Sequence, residues 1–414
     1  MKLKQKILFL AIAIILLITP TVVHAESPTI NSKAAILVEV STGRILYEKN
    51  STKQLYPAST TKVMTAILVL EKCNLTDMVT VNETALGNLP SGYVTCDLQV
   101  DEEISVNDLL YALMVKSAND AAYVLAKHVG GSVDAFADLM NIKAREIGCT
   151  GTHFVNPNGV HDDRHYSTAY DLYLITKYAM QNETFRKLVA TTEYTLPATN
   201  KYPNADRSFT TTNQLLNPES TAYYYKYATG VKTGYTSQAG NCIISMASRD
   251  GLDFIAVVLG GGATPSGLNA RFIDSKTLFN YGYDNYTLTK VKEAKTVVET
   301  IEIENGTKET KNLNVLINDS ITVINNKSIN MNDIIPEIKI DENILAPIEK
   351  GQVIGSIKYK VDDIEYSSEL IADHAVEEKP DYTILILIIA GLLLVVIGGR
   401  LYRKTTKKSK KRRR

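Results

Sequence analysis

The chain has 414 residues, in which 45 Lys+Arg balance 45 Asp+Glu, with a 45% hydrophobic composition and four cysteines. The formal charge of zero is unevenly spread: setting aside three lysines at the start, ten basic residues at the end and Asp381 leaves 32 basic against 44 acidic residues. A body at −12 excludes the broad positive field on which nucleic-acid binding depends.

At the N-terminus, Lys2, Lys4 and Lys6 precede the apolar run Ile7 to Ile18, and Val23-His-Ala25 offers small residues at the two specificity positions of a cleavage site. Residues 1–25 read as a secretory signal peptide, with the mature protein beginning near Glu26. The exported part, about 350 residues, is long enough for two cores.

Tyr56-Pro-Ala-Ser-Thr-Thr-Lys-Val-Met-Thr65 opens onto Val63 to Leu70, a stretch apolar nearly all round. This predicts a buried central helix with Ser59 at its N-terminus. Unpaired backbone N–H groups and a partial positive charge at such an end favour a developing oxyanion. Lys62 follows three residues on, so both side chains project from one face. A lysine acts as a general base only when its pKa is lowered, and burial beside a second cation such as Lys232 lowers it. An isolated Ser-x-x-Lys fits an ordinary N-cap serine equally well; the motifs that follow supply the context.

Ser105-Val-Asn-Asp108 is a capping-box signature, and it predicts a helix over Leu109 to His128 with Leu110, Leu113, Ala121 and Leu125 on its apolar side. Ser117 and Asn119 interrupt that helix as polar residues between apolar turns. Asn156-Pro-Asn-Gly159 marks a loop, and His161, Asp162, Asp163 and His165 just beyond it match no familiar metal-ligand spacing. No metal and no cofactor are expected.

Two β-rich runs, Asn241 to Ser248 and Leu252 to Gly260, flank an Arg249-Asp-Gly251 turn and predict an antiparallel hairpin. Lys232-Thr233-Gly234 then falls on a neighbouring strand, with Gly234 letting a ligand approach the backbone. A cation, a hydroxyl and open backbone together suit a carboxylate. Cys73, Cys96, Cys149 and Cys242 allow three pairing schemes, none of which the sequence selects, and none stands in a catalytic pattern.

Composition shifts near Tyr286. Beyond it, short Val/Ile/Thr runs punctuated by Asn305-Gly306, Asn318-Asp319 and Asp362-Asp363 predict a small all-β sandwich domain over 287–379, read as a spacer or docking module. Tyr382 to Gly399 is uncharged and just long enough to span a bilayer; the membrane helix is set at 380–399. Arg400 to Arg414 holds ten Lys/Arg and no acid, which predicts a cytoplasmic tail and an extracytoplasmic body on a single-pass anchor.

Ser59-x-x-Lys62, Ser117-Ala-Asn119 and Lys232-Thr-Gly234, in that order, resemble the signature of the penicillin-recognising D-alanyl-D-alanine carboxypeptidases, the low-molecular-mass penicillin-binding proteins. The likeness extends to Ala35–Gly43, Thr152–Gly159, Tyr166–Ala169, Thr229–Thr236 and Leu345–Gly355. It implies an α/β (α+β) catalytic domain over 26–286, transpeptidase/β-lactamase-like, with an antiparallel sheet and a helical cluster. The substrates implied are peptidoglycan stem peptides ending in D-Ala-D-Ala, with β-lactams as inhibitors.

The resemblance makes Ser59 the nucleophile, Lys62 its base and Ser117 the relay to the departing amine. It makes Asn119 the amide that holds the substrate backbone, and Lys232 and Thr233 the carboxylate site. The Tyr235 backbone N–H would complete the oxyanion hole with that of Ser59, and Arg271 would be a second cation near the carboxylate. Ala118 replaces the frequent glycine, and Tyr235 replaces a histidine found in some members; since Tyr235 would contribute mainly its backbone, its side chain bears on specificity more than on chemistry. A D,D-endopeptidase shares every motif. A class A β-lactamase would need a Glu-x-x-x-Asn after Asn119, which the chain lacks in that region, and a non-catalytic wall-binding protein is at odds with the intact motifs.

Overall fold

The computed structural model describes residues 27–87, 92–204, 206–362 and 364–411. The signal peptide expected over 1–25, Asp363 and the last three residues of the basic tail lie outside them. The chain divides into two compact units: one reaches to Leu288 and takes back Ile324–Ile329, and the other comprises Thr289–Val323 and continues from Asn330.

In the first unit, a five-stranded antiparallel sheet runs in the order Ile45–Lys49, Ala34–Glu39, Leu252–Gly261, Gly240–Arg249, Ala228–Thr236. Its three central strands are almost wholly buried, as expected of a sheet covered on both faces. The predicted hairpin is present, turning at Asp250-Gly251, and the Lys-Thr-Gly strand pairs beside it with Lys232 opposite Ile244 and Tyr235 opposite Asn241. Helices pack around the central helix Lys62–Lys72, whose residues 62–69 are all buried.

Local chemistry sets the helix ends. Ser132 and Thr168 each accept a hydrogen bond from the backbone N–H three residues on, and Gly131 and Gly148 adopt positive φ where two helices stop. Half of the capping box is formed: Ser105 Oγ accepts from Asp108 N at 3.1 Å, while the Asp108 carboxylate accepts from the Ser105 hydroxyl.

The helix predicted over Leu109 to His128 is broken. Val106–Tyr111 is α-helical, Ala112–Lys116 widens into a π turn, and Ser117 takes a left-handed φ of 66° before a new helix, Asn119–Gly130. Apolar periodicity continues through the break because both halves pack on one core, so sequence pattern alone cannot show it. The break sets Ser117 and Asn119, 8% and 4% exposed, into the interior instead of on a solvated face.

The second unit holds a five-stranded antiparallel sheet in the order Val297–Glu302, Asn312–Ile317, Ile364–Ala372, Val353–Val361, Glu337–Ile340. Asn305 and Asp362 occupy turns at positive φ, as short polar side chains permit. A helix, Thr383–Lys411, ends the described chain and continues through the start of the basic tail. Its first 20 residues, Thr383–Tyr402, are apolar and long enough to cross a membrane, at about 30 Å for an α-helix of that length. All four cysteines are free thiols.

Candidate active site

Ser59 lies in a 3-10 turn, Ala58–Thr61, one step before the central helix, so it precedes the α-helical N-terminus expected for it. Ala58 is held at φ 49°, a left-handed conformation that costs a non-glycine residue free energy and persists only where its surroundings enforce it. Two neighbours do so. A Cβ on Gly159, at φ 83°, would sit 1.8 Å from the Ala58 carbonyl oxygen; a Cβ on Gly234 would sit 2.8 Å from Ser59 N. Gly234 is therefore required for the strand to approach the serine turn, a closer constraint than the ligand access its sequence position suggested.

Lys62 is 0% exposed, and its Nζ lies 3.0 Å from Ser59 Oγ, 2.9 Å from Asn119 Oδ1 and 2.9 Å from the Asn158 carbonyl oxygen. Burial, and secondarily the charge of Lys232, holds its pKa well below the usual lysine value, against an opposing pull from Asp120. A neutral amine has two N–H donors and one lone pair. With the two carbonyl-type oxygens taking the donors, the lone pair is left for the Ser59 hydroxyl.

Asn119 is engaged at both ends of its carboxamide: Oδ1 accepts from Lys62, and Nδ2 donates to the Val94 carbonyl oxygen at 2.9 Å. One N–H of that amide remains for a substrate. Asp120 then ties the adjoining loop down by accepting from the backbone N–H groups of Cys96 and Leu98. Ser59, Ser117 and Asn119 line one cavity of about 410 Å³, with the exposed Tyr235 at its rim.

Lys232 is 1% exposed, and burial, aided by Arg271, pushes its pKa down to about 7. Among the described residues its Nζ reaches only the neighbouring Thr233 carbonyl oxygen, at 3.2 Å. Thr233 Oγ1 lies 2.5 Å from Thr212 Oγ1. Arg271 is the second residue of the helix Ala270–Asn285 and is no free surface side chain: Nη1 donates to the Gly234 carbonyl oxygen at 3.0 Å, while Nε is buried without a partner among the described residues.

Sequence reasoning missed several members of this constellation. Asn158 was noted only as part of a loop, though its carbonyl completes the Lys62 cage. Thr212 carried no motif at all. His165 is committed elsewhere than to a metal: Nδ1 accepts from Val155 N, so Nε2 carries the proton and donates to Thr61 Oγ1 at 2.8 Å. Nε2 thus braces the turn that holds Ser59, while Nδ1 ties the ring to the loop at Val155.

A serine on an open cavity, with a buried, cage-held lysine 3.0 Å from its hydroxyl, defines a serine acyl-transfer centre. Residues 21–263 match the D-alanyl-D-alanine carboxypeptidase family, and residues 286–378 match the C-terminal domain of penicillin-binding protein 5. The chain belongs to the D-alanyl-D-alanine carboxypeptidase family. It is 33% identical to the D-alanyl-D-alanine carboxypeptidase DacF of Bacillus subtilis over 355 residues, covering 84% of this chain and 85% of that one. Penicillin-binding protein 5 of Haemophilus influenzae superposes with a TM-score of 0.70 at 29% identity, covering 86% of this chain and all of that one. The DD-transpeptidase of Streptomyces K15 superposes with a TM-score of 0.57 at 33% identity over 63% of this chain and 100% of that one.

Proposed function

We propose that this protein is a serine-type D-alanyl-D-alanine carboxypeptidase that removes the terminal D-alanine of peptidoglycan stem pentapeptides through an acyl-enzyme on Ser59. The observation that carries this reading is the 3.0 Å approach of Lys62 Nζ to Ser59 Oγ inside a cage that favours the neutral amine.

Ser59 Oγ attacks the carbonyl carbon of the penultimate D-alanine as its proton passes to Lys62. Charge on the carbonyl oxygen is met by the backbone N–H groups of Ser59 and Tyr235. The C–N bond breaks, the leaving nitrogen takes a proton by way of the Ser117 hydroxyl, and water then hydrolyses the ester. Asn119 offers its remaining N–H to the substrate backbone. Lys232, Thr233 and Arg271 hold the terminal carboxylate. A β-lactam places a strained amide in the same position and acylates Ser59.

The apolar helix Thr383–Tyr402 crosses the membrane once, with the catalytic unit outside and the basic tail in the cytoplasm. The tail's charge serves stop-transfer and contact with anionic lipid.

The test is D-alanine release by the full-length protein in detergent from a peptide ending in D-Ala-D-Ala, with Ser59→Ala alongside. Loss of both release and penicillin labelling in the variant is expected. Undiminished release by Ser59→Ala overturns the assignment.

A further inference from the structure

Thr233 lies on the strand Ala228–Thr236 and is 4% exposed, and among the described residues its hydroxyl has one hydrogen-bond partner, the Thr212 hydroxyl at 2.5 Å. Either oxygen can be the donor. Thr212 is itself exposed, yet the backbone on both sides of it is pinned. Thr211 N donates to the Thr192 carbonyl oxygen at 2.7 Å. Asn213, buried, donates from its backbone N–H to Thr211 Oγ1 and accepts at Oδ1 from Leu215 N. The turn that follows the strand Ser208–Thr210 therefore presents one hydroxyl to Thr233 from a fixed backbone.

A threonine hydroxyl has one proton and two lone pairs. When Thr233 gives its proton to Thr212, it can offer only a lone pair to the place assigned to the carboxylate, and two acceptors face each other. When Thr212 is the donor, the Thr233 proton is released to point at the anion. A carboxylate only accepts, so it selects the second arrangement, a chain in which Thr212 donates to Thr233 and Thr233 donates to the carboxylate. Each donor in such a chain polarises the next, which strengthens the charge-assisted bond at its end. The nearby cations do not set this direction: Lys232 donates to the Thr233 carbonyl and Arg271 to the Gly234 carbonyl, so among the described residues only Thr212 meets the Thr233 hydroxyl.

We infer that Thr212 is a positioning residue for the carboxylate site: its hydroxyl donates to Thr233 and so aims the Thr233 proton at the terminal carboxylate of the substrate. The inference deepens the carboxypeptidase reading above and rests on it, since that reading gives Thr233 the carboxylate. Thr212 acts through Thr233 and touches no reacting atom. Recognition of a free C-terminus then depends on a residue outside all three motifs.

The experiment is a double-mutant cycle on the full-length protein in detergent. It is read as the second-order rate constant for acylation by penicillin, which also carries a carboxylate, and as KM and kcat for a peptide ending in D-Ala-D-Ala. Valine keeps the shape of threonine without its hydroxyl. Thr212→Val should lower the acylation constant about tenfold and raise KM about tenfold, with kcat within about twofold. Thr212→Ser, which keeps the hydroxyl, should stay within about threefold of wild type. Thr233→Val should cost more than Thr212→Val, and adding Thr212→Val to it should change acylation by less than about twofold. Additive losses overturn the inference, because Thr212 would then act independently of Thr233. A Thr212→Ser as impaired as Thr212→Val overturns it too, because packing and not the hydroxyl would be responsible. Penicillin acylation without D-alanine release by wild type overturns the carboxypeptidase reading and leaves the hydroxyl pair to stand or fall on the penicillin cycle.

Discussion

Two lysines are buried within one site, yet their surroundings differ in kind. Lys62 meets three oxygens within 3.0 Å and has no donor left over, whereas Lys232 reaches one backbone oxygen at 3.2 Å and has donors to spare. Both pKa values are lowered chiefly by burial, but the second contribution differs: Lys62 feels Lys232, and Lys232 feels Arg271. The cations thus form a relay of repulsion from the helix start at Arg271 to the serine turn. A cage with every donor used suits a base that exchanges a proton with Ser59. An amine with open donors suits an incoming anion.

The sharpest way to break this comparison is to remove each amine in turn. Lys62→Met should lower both penicillin acylation and peptide turnover about 10⁴-fold, by analogy with other nucleophile–base pairs. Lys232→Met should act mainly on KM for carboxylate-ended peptides, by about 10²-fold, read from steady-state kinetics. Equal losses in kcat from the two variants would erase the distinction.

Next in size are the glycines that let the two sides meet. Gly234→Ala and Gly159→Ala each force atoms into contact around the serine turn, at 2.8 Å from Ser59 N and 1.8 Å from the Ala58 carbonyl oxygen respectively. Each should cost about 1–3 kcal/mol of stability by denaturant melting, with Gly159→Ala the worse because its φ is also left-handed.

A pH profile separates the lysines without mutation. Lys232, at about 7, is charged below that pH and neutral above it, so kcat/KM for a carboxylate-ended peptide should fall as pH rises through 7. A bound carboxylate favours the charged amine, so kcat should hold to higher pH than kcat/KM. Stability runs the other way. Since the folded pKa lies below the ordinary 10.5, the unfolded chain binds more protons between about 7 and 10.5, and stability from this group rises with pH across that window. Lys232→Met should therefore raise Tm most below pH 7, with the advantage fading toward pH 10.5. A Tm gain that is flat with pH would mean that the buried amine is not the cause.

The smallest effect is expected from the end of the chain. Deleting residues 382–414 removes the apolar helix and should change D-alanine release by no more than about twofold while making the protein extractable without detergent. A folded but inactive truncation would give the anchor a role beyond attachment.

The nearness of Ser59 and Lys62 was legible because residues three apart in a helical turn project to one side, and the placement of Lys232 because a strand beside a hairpin has a defined partner. The β composition after Tyr286 and the apolar C-terminal run were legible for the same reason, since period and length are local properties. The π turn before Ser117 was not, because the apolar pattern is continuous across it and only packing against the central helix selects where the backbone opens. Nor could the sequence reveal Asn158, whose contribution is a carbonyl that every residue possesses, or Thr212, which becomes a neighbour of Thr233 from 21 positions away in the chain. By itself, then, the sequence determined which residues are the candidates for the chemistry and in what order they stand. The tertiary structure alone decided their protonation, through burial and the distance between charges, and decided which side of the serine stays open, because desolvation and cavity shape depend on elements remote in the chain.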